Sequence, residues 1–419
     1  MLSLTGLSAP GRSAPLTLGS LDPIAIAKLI TRLVAFAFLG HVLMHANDNR
    51  TTSLLRRLTP LALFTAWAAV SVFWSPMPTV TFGHASELVV MLMLAGAAGL
   101  LTLDEEVYSR IFCHLTLIAM TMSVVLIALN FRDIIAGERP MGYMQPNDMA
   151  KTGGAGLILF ACCHLFWKWK WTRTMFWPAS IILSALIFVA RSRTASILTP
   201  LVILVLCLCF RRVKTVVAIC LCIGLFALFL PYSQAVQHVP DSVMSYMARG
   251  QSTDELAGLS GRTEMWSIAW ESFLDAPFFG HGYYIMTRTG MFQVWGKLQF
   301  QTAHNAYLHV VTGLGLLGTC FLIWGLGALI RPSVVAMRDR SRKVELLALL
   351  MIAWYCAMGM FELAWFGPVD TAVVIFFVLL GVSAGRPAVA EKPGRNSWLA
   401  AGSSWLAYPL PAIGCEQRE

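Results

Sequence analysis

Blocks of about twenty apolar residues recur along this chain with short polar connections between them, and this constrains the fold more than any other feature. A helix of that length crosses about 30 Å of hydrocarbon. Of the 419 residues, 57% are hydrophobic and 13% charged. Soluble domains carry about 25% charged residues, so too little polar surface remains to coat a water-soluble globule of this size. Bare backbone is forbidden in lipid and no barrel-type alternation is present, so the blocks read as helices. Spans are expected near 24–45, 58–75, 85–103, 111–130, 148–167, 175–190, 194–210, 215–232, 305–330, 344–365 and 369–384. The expected class is an all-α polytopic membrane protein with about 11–12 transmembrane helices and one large periplasmic loop.

Orientation follows from the basic residues. Nineteen Lys and Arg fall in one set of alternate connections, among them Arg56, Arg57, Lys170, Arg211, Arg340 and Lys343, against eight in the other. The first set is therefore cytoplasmic. This divides the chain into an N-terminal segment 1–23, eight helices over 24–232, a large periplasmic loop over 233–303, three helices over 304–384 and a cytoplasmic tail over 385–419. Lys28 and Arg32 inside the first block are costly in lipid unless they snorkel or line a cavity. The first twenty residues lack a charged start followed by an apolar block, so no cleaved signal peptide is expected.

The net charge of +9 is explained by these cytoplasmic borders, and no basic stripe with interleaved aromatics points to nucleic acid. Nine of the ten cysteines lie in or beside apolar blocks, where thiols behave as small hydrophobes. The chain has no HExxH, paired CxxC, Walker or Asp-x-Asp motif, so neither a metal nor a cofactor is expected.

The eight outer basic residues need another reason. Arg191 and Arg193 sit in a minimal turn, Ala190-Arg-Ser-Arg-Thr194, where two guanidiniums at headgroup level suit a phosphate or pyrophosphate. Snorkelling to lipid headgroups is the plainer alternative. Ser260 is a candidate N-cap, with apolar residues 266, 269, 270 and 273 on one helical face and a stop at Asp275-Ala-Pro277. Arg262 then falls in the first helical turn, where a cation is unfavourable unless an anion is present. That anion is a phosphate ligand or a neighbouring Glu264 or Asp254. His304 and Asn305 stand where the loop re-enters the membrane, with His309 more than a turn deeper. Histidine can accept a hydroxyl proton near neutral pH, which makes His304 the candidate general base. Glu87 and Glu362 are intramembrane carboxylates, expected to pair with one of the outer arginines. Asn147-Asp148 at the mouth of the fifth span, and Tyr283 and Tyr284 as sugar-stacking rings, complete the candidate set.

In this order the motifs resemble the O-antigen ligase and Wzy-type polysaccharide polymerase family. The matching pieces are Trp74-Ser-Pro76, Gln145-Pro-Asn147, Ser192-Arg-Thr-Ala195 and Ser260-Gly-Arg-Thr-Glu-Met-Trp266, then Pro277-Phe-Phe-Gly-His-Gly-Tyr283, Ala303-His-Asn-Ala-Tyr-Leu308 and Gly313-Leu-Gly315. The resemblance implies a GT-C-like glycosyltransferase whose donor is an undecaprenyl-diphosphate-linked glycan. It implies that Arg191 or Arg193, together with Arg262, holds the diphosphate, and that His304 is essential. The acceptor would be lipid A–core for a ligase or another lipid-linked glycan for a polymerase. The eleven expected spans are one short of the family's usual twelve. The reaction expected from these residues is metal-independent and inverting, with Asn305, Glu362, Asn147 and Tyr283 as further substrate contacts. A secondary transporter of a small anionic solute is the rival, and it predicts an internal repeat with ion ligands in broken helices, which the sequence does not show.

Overall fold

A computed structural model of the chain describes residues 23–45, 49–101, 105–136, 140, 144–167, 170–209, 262–285, 293–294, 297–298, 303–336, 343–363 and 369–385. The protein is an all-α polytopic membrane protein. In chain order its helices are α1 (Pro23–His45), α2 (Asn49–Val70), α3 (Pro78–Leu101), α4 (Glu105–Leu129), α5 (Phe131–Ile135), α6 (Pro146–Cys162), α7 (Lys170–Thr174), α8 (Phe176–Val189), α9 (Arg193–Cys209), α10 (Arg262–Asp275), α11 (Ala306–Ala336), α12 (Lys343–Gly359) and α13 (Thr371–Gly385). A two-residue hairpin pairs Gln293–Val294 with Lys297–Leu298. The expected span near 215–232, and the loop residues 233–261 with Asp254 and Ser260, lie outside the described residues.

Among the described residues, four stretches are long and apolar enough to cross a membrane alone: Pro78–Leu101, Val107–Leu129, Pro146–Trp167 and Ala306–Arg331. Shorter apolar helices accompany them, Phe176–Val189 and Thr371–Gly385 among others. Leu33, Phe38, Trp177, Ile181, Phe188 and Ile323 are each more than half exposed, which suits helices whose outer faces meet lipid. Inside the bundle small residues let backbones approach. Ala95 to Gly99 on α3 lie against Gly381 and Gly385 on α13, and a Cβ at Gly381 would collide with the Ala95 carbonyl.

Residues 276–282 are welded to a break in α11. Gly315 has φ +65°, outside helical space, which interrupts the ladder and strands carbonyls and N–H groups. The loop satisfies them. His281 N–H donates to Thr312 O at 3.1 Å and Gly282 N–H to Gly313 O at 2.8 Å, while Leu316 N–H donates to Pro277 O at 2.8 Å. Trp67 Nε1 donates to Leu314 O at 3.1 Å. A Cβ at Gly280 or Gly315 would strike the opposite backbone, so glycine is required by close approach as well as by φ. This joint fixes the loop between α10 and α11 at one end of the bundle. Tyr283 N–H donating to Ser71 Oγ at 2.9 Å ties the loop also to the turn before α3.

Candidate functional site

The site is organised by one buried carboxylate. Glu362 follows α12 and stays in its last turn, its N–H donating to Met358 O at 2.9 Å. A carboxylate at a helix C-terminus opposes the helix dipole, and at 4% exposure Glu362 is also cut off from water. Three donors from three other segments offset this. Asn147 Nδ2 donates to Oε1 at 2.8 Å, Arg262 Nη2 to the same oxygen at 3.0 Å, and His304 Nδ1 lies 3.1 Å from Oε2.

Each partner is placed by its own local chemistry. Arg262 opens α10, as the sequence indicated, and its Nη1 donates to Phe361 O at 2.6 Å. Its guanidinium thus covers both a carboxylate and a carbonyl at the end of α12, where a cation is favoured. An anion of the kind its position demanded is supplied from within the chain by Glu362, while Asp254 and the Glu264 side chain lie outside the described residues. Asn147 lies in the first turn of α6, just after Pro146 at N1. His304 has φ +45° immediately before α11, and Asn305 caps that helix. The Asn305 side-chain oxygen accepts from Tyr307 N–H at 3.0 Å and Leu308 N–H at 3.1 Å, a capping job rather than an approach to ligand.

Arg193 begins α9, close enough to Arg262 for the two positive charges to repel. Arg191, two residues earlier, has φ +50°. Among the described residues, the non-glycine positions with left-handed backbone are Arg191, Tyr284 and His304. Each costs about 1–3 kcal/mol and persists only where the surroundings enforce it, a pattern that concentrates at functional sites. Tyr283 and Tyr284 are both buried in the main apolar core, at 6% and 5% exposure, and the Tyr284 ring lies against those of His84 and His309.

Further expectations are corrected by the packing. The buried face of α10 is Met265, Ala269 and Phe273, while Trp270 is exposed, because α10 lies against Ile285 and Leu308 in a small separate core. Glu87 pairs with Arg32 of α1, which explains how Arg32 is tolerated in the first helix. His84 Nδ1 also meets Glu87, at 2.9 Å. Lys151 was not anticipated. It is 2% exposed and lies 2.7 Å from Asp148 and 3.3 Å from Asp370, behind Glu362. Its signal was present as an Asp-x-x-Lys spacing on a helix that is otherwise apolar.

Arg193, Arg262, His304, Asn147 and Glu362 meet at one end of the bundle. Two guanidiniums beside an imidazole held by a carboxylate suit an anionic group next to a hydroxyl that must lose a proton. No curated protein matches the chain. Residues 178–323, which hold Arg191, Arg193, Arg262, Tyr283, His304 and Asn305 but neither Asn147 nor Glu362, match the O-antigen ligase family.

Proposed function

We propose that this protein is a glycosyltransferase of the inner membrane that transfers or polymerises glycan from an undecaprenyl-diphosphate carrier at its periplasmic face. The observation that carries this reading is Glu362 joining Arg262 to His304, with Arg193 alongside. Arg193 and Arg262, with Arg191 in the adjoining turn, hold the diphosphate and stabilise the charge that develops on it as the glycosidic bond breaks. Fixed donors in a partly dry site need no reorganisation at that moment. Glu362 accepts the Nδ1 proton of His304, which fixes the ring and makes Nε2 the basic nitrogen. His304 removes the proton of an acceptor hydroxyl, the oxygen attacks the anomeric carbon from the face opposite the diphosphate, and configuration inverts. The diphosphate departs with the bonding electrons, so the step asks nothing of a nucleotide. The acceptor is a second lipid-linked glycan or lipid A–core.

The weight of basic residues in the alternate connections supports the periplasmic side, since Arg57 lies at the opposite end of the bundle, donating to Ala384 O at 3.1 Å. For a transporter, the break in α11 would have to hold an ion or solute. Here its carbonyls and N–H groups are taken up by residues 277–282 and Trp67. The test is substitution of Arg262 and His304 separately, followed by analysis of surface polysaccharide length. Short unpolymerised repeats on core indicate a polymerase and bare core a ligase. An unchanged glycan pattern rejects the enzyme reading.

A further inference from the structure

Lys151 is too deeply buried to touch a substrate, yet it stands directly behind the groups that face one. It is 2% exposed on α6, and its Nζ lies 2.7 Å from Asp148 Oδ1 and 3.3 Å from Oδ2 of Asp370, itself 1% exposed. Residues 153–162 of the same helix carry no charge. Stability alone is a poor reason for such a lysine, because well-packed apolar side chains in place of a buried ion pair often leave a protein as stable. Its position gives a better one. Lys151 stands one turn along α6 from Asn147, on the same face. It is close enough to Glu362 for the opposite charges to attract, and Asn147 Nδ2 donates to that carboxylate at 2.8 Å.

Asp370 links the same elements. Its Oδ1 accepts from Val373 N–H at 2.8 Å and caps α13, so its other oxygen meets Lys151 from a fixed helix start. Two residues on, Ala372 O accepts from the Tyr355 hydroxyl of α12. The start of α13 is therefore tied both to α6, which carries Asn147, and to α12, which Glu362 follows. A slip of either helix would move the Glu362 carboxylate relative to Asn147 and to His304 Nδ1, 3.1 Å away. We propose that Lys151 and Asp370 are positioning residues, which act from behind Glu362 to hold its carboxylate against the His304 ring. Their effect on rate rests on the glycan-transfer reading, and their effect on geometry is tested without it.

The test uses the full-length protein in lipid nanodiscs and the paired variant Lys151→Met/Asp370→Asn. Met replaces the lysine stem with a flexible apolar one, Asn keeps an oxygen to cap α13, and the pair removes one charge of each sign. One readout needs no glycan: the rate at which diethyl pyrocarbonate modifies His304 near neutral pH, followed at that residue by mass spectrometry. The other is turnover of lipid-linked glycan, split into kcat and KM. The modification rate in the paired variant should move from the parent's value to that of Glu362→Gln. The value of kcat should fall about tenfold with KM within about twofold, because misplacing a reacting group costs rate, on the order of 10²-fold for 1 Å. In a Glu362→Gln background the same pair should cost less than about twofold, since no carboxylate is left to position. A parent-like modification rate overturns the proposal. So does a kcat loss as large in the Glu362→Gln background as in the parent, which would mean that Lys151 and Asp370 only hold α6 to α13. Equal modification rates in the parent and Glu362→Gln overturn it too, because the carboxylate then does not hold the ring. If the paired variant does not fold, Asp370→Asn alone, which keeps Lys151 beside Asp148, is read against the same outcomes. If the modification rate moves as expected while neither the paired variant nor His304→Gln changes turnover, the glycan-transfer reading falls and the positional assignment stands.

Discussion

Glu362 and Glu87 are built alike and placed in different electrostatic surroundings. Each is buried at one end of the bundle, and each joins a guanidinium to the Nδ1 of a histidine. Around Glu362 a further arginine, Arg193, adds positive charge, and Lys151 stands behind it with Asp148 and Asp370. Around Glu87, which meets Arg32 and His84, the neighbours include the aromatic ring of Tyr284 and, beyond it, that of His309. The two knots thus differ in their neighbours: a second arginine stands beside Glu362, and an aromatic cluster stands beside Glu87.

This contrast can be broken most decisively at the histidines. His304→Gln should lower turnover of lipid-linked glycan in isolated membranes by about 10²–10⁴-fold, the range for loss of a general base. His84→Gln should cost no more than about tenfold, the loss of one hydrogen bond to Glu87. Equal losses would erase the distinction between the two knots. At the next level, Arg262→Gln or Arg193→Gln should reduce the rate by about 10²-fold, as removal of one preorganised donor does. Arg262→Gln combined with Glu362→Gln should then be less damaging than the two single effects multiplied, because the pair shares one interaction.

Lys151 sharpens the comparison through stability. Lys151→Met leaves Asp148 and Asp370 without their buried cation and should destabilise by about 3–5 kcal/mol, read as a lower thermal midpoint of the solubilised protein. Adding Asp370→Asn should recover part of the loss, and no recovery would show that the cost lies in packing alone.

Much of the site was readable locally because its residues break a strong local rule. Arginines in the Arg191–Arg193 turn and at the head of α10, a histidine at a membrane mouth and carboxylates in apolar blocks are each costly in lipid, and the cost marks them. The glycines of Gly280-His-Gly282 and Gly313-Leu-Gly315 were legible as motif pieces. That the two motifs interlock, each filling the space a Cβ would need in the other, depends on chain segments more than thirty residues apart in sequence meeting backbone to backbone. Trp270 was placed on the wrong face for a similar reason. Apolar spacing shows that α10 has a buried side, but its angle against Ile285 and Leu308 decides which residues occupy it.

The sequence by itself determined the membrane class, the helical architecture, most helix positions and the polar residues too costly to be accidental, since hydrophobic length and the expense of intramembrane charge act residue by residue. Tertiary structure alone decided the pairings. Glu362 chose Arg262, His304 and Asn147, and Glu87 chose Arg32 and His84, because a buried charge takes whichever partners the packing of distant helices brings within hydrogen-bond reach.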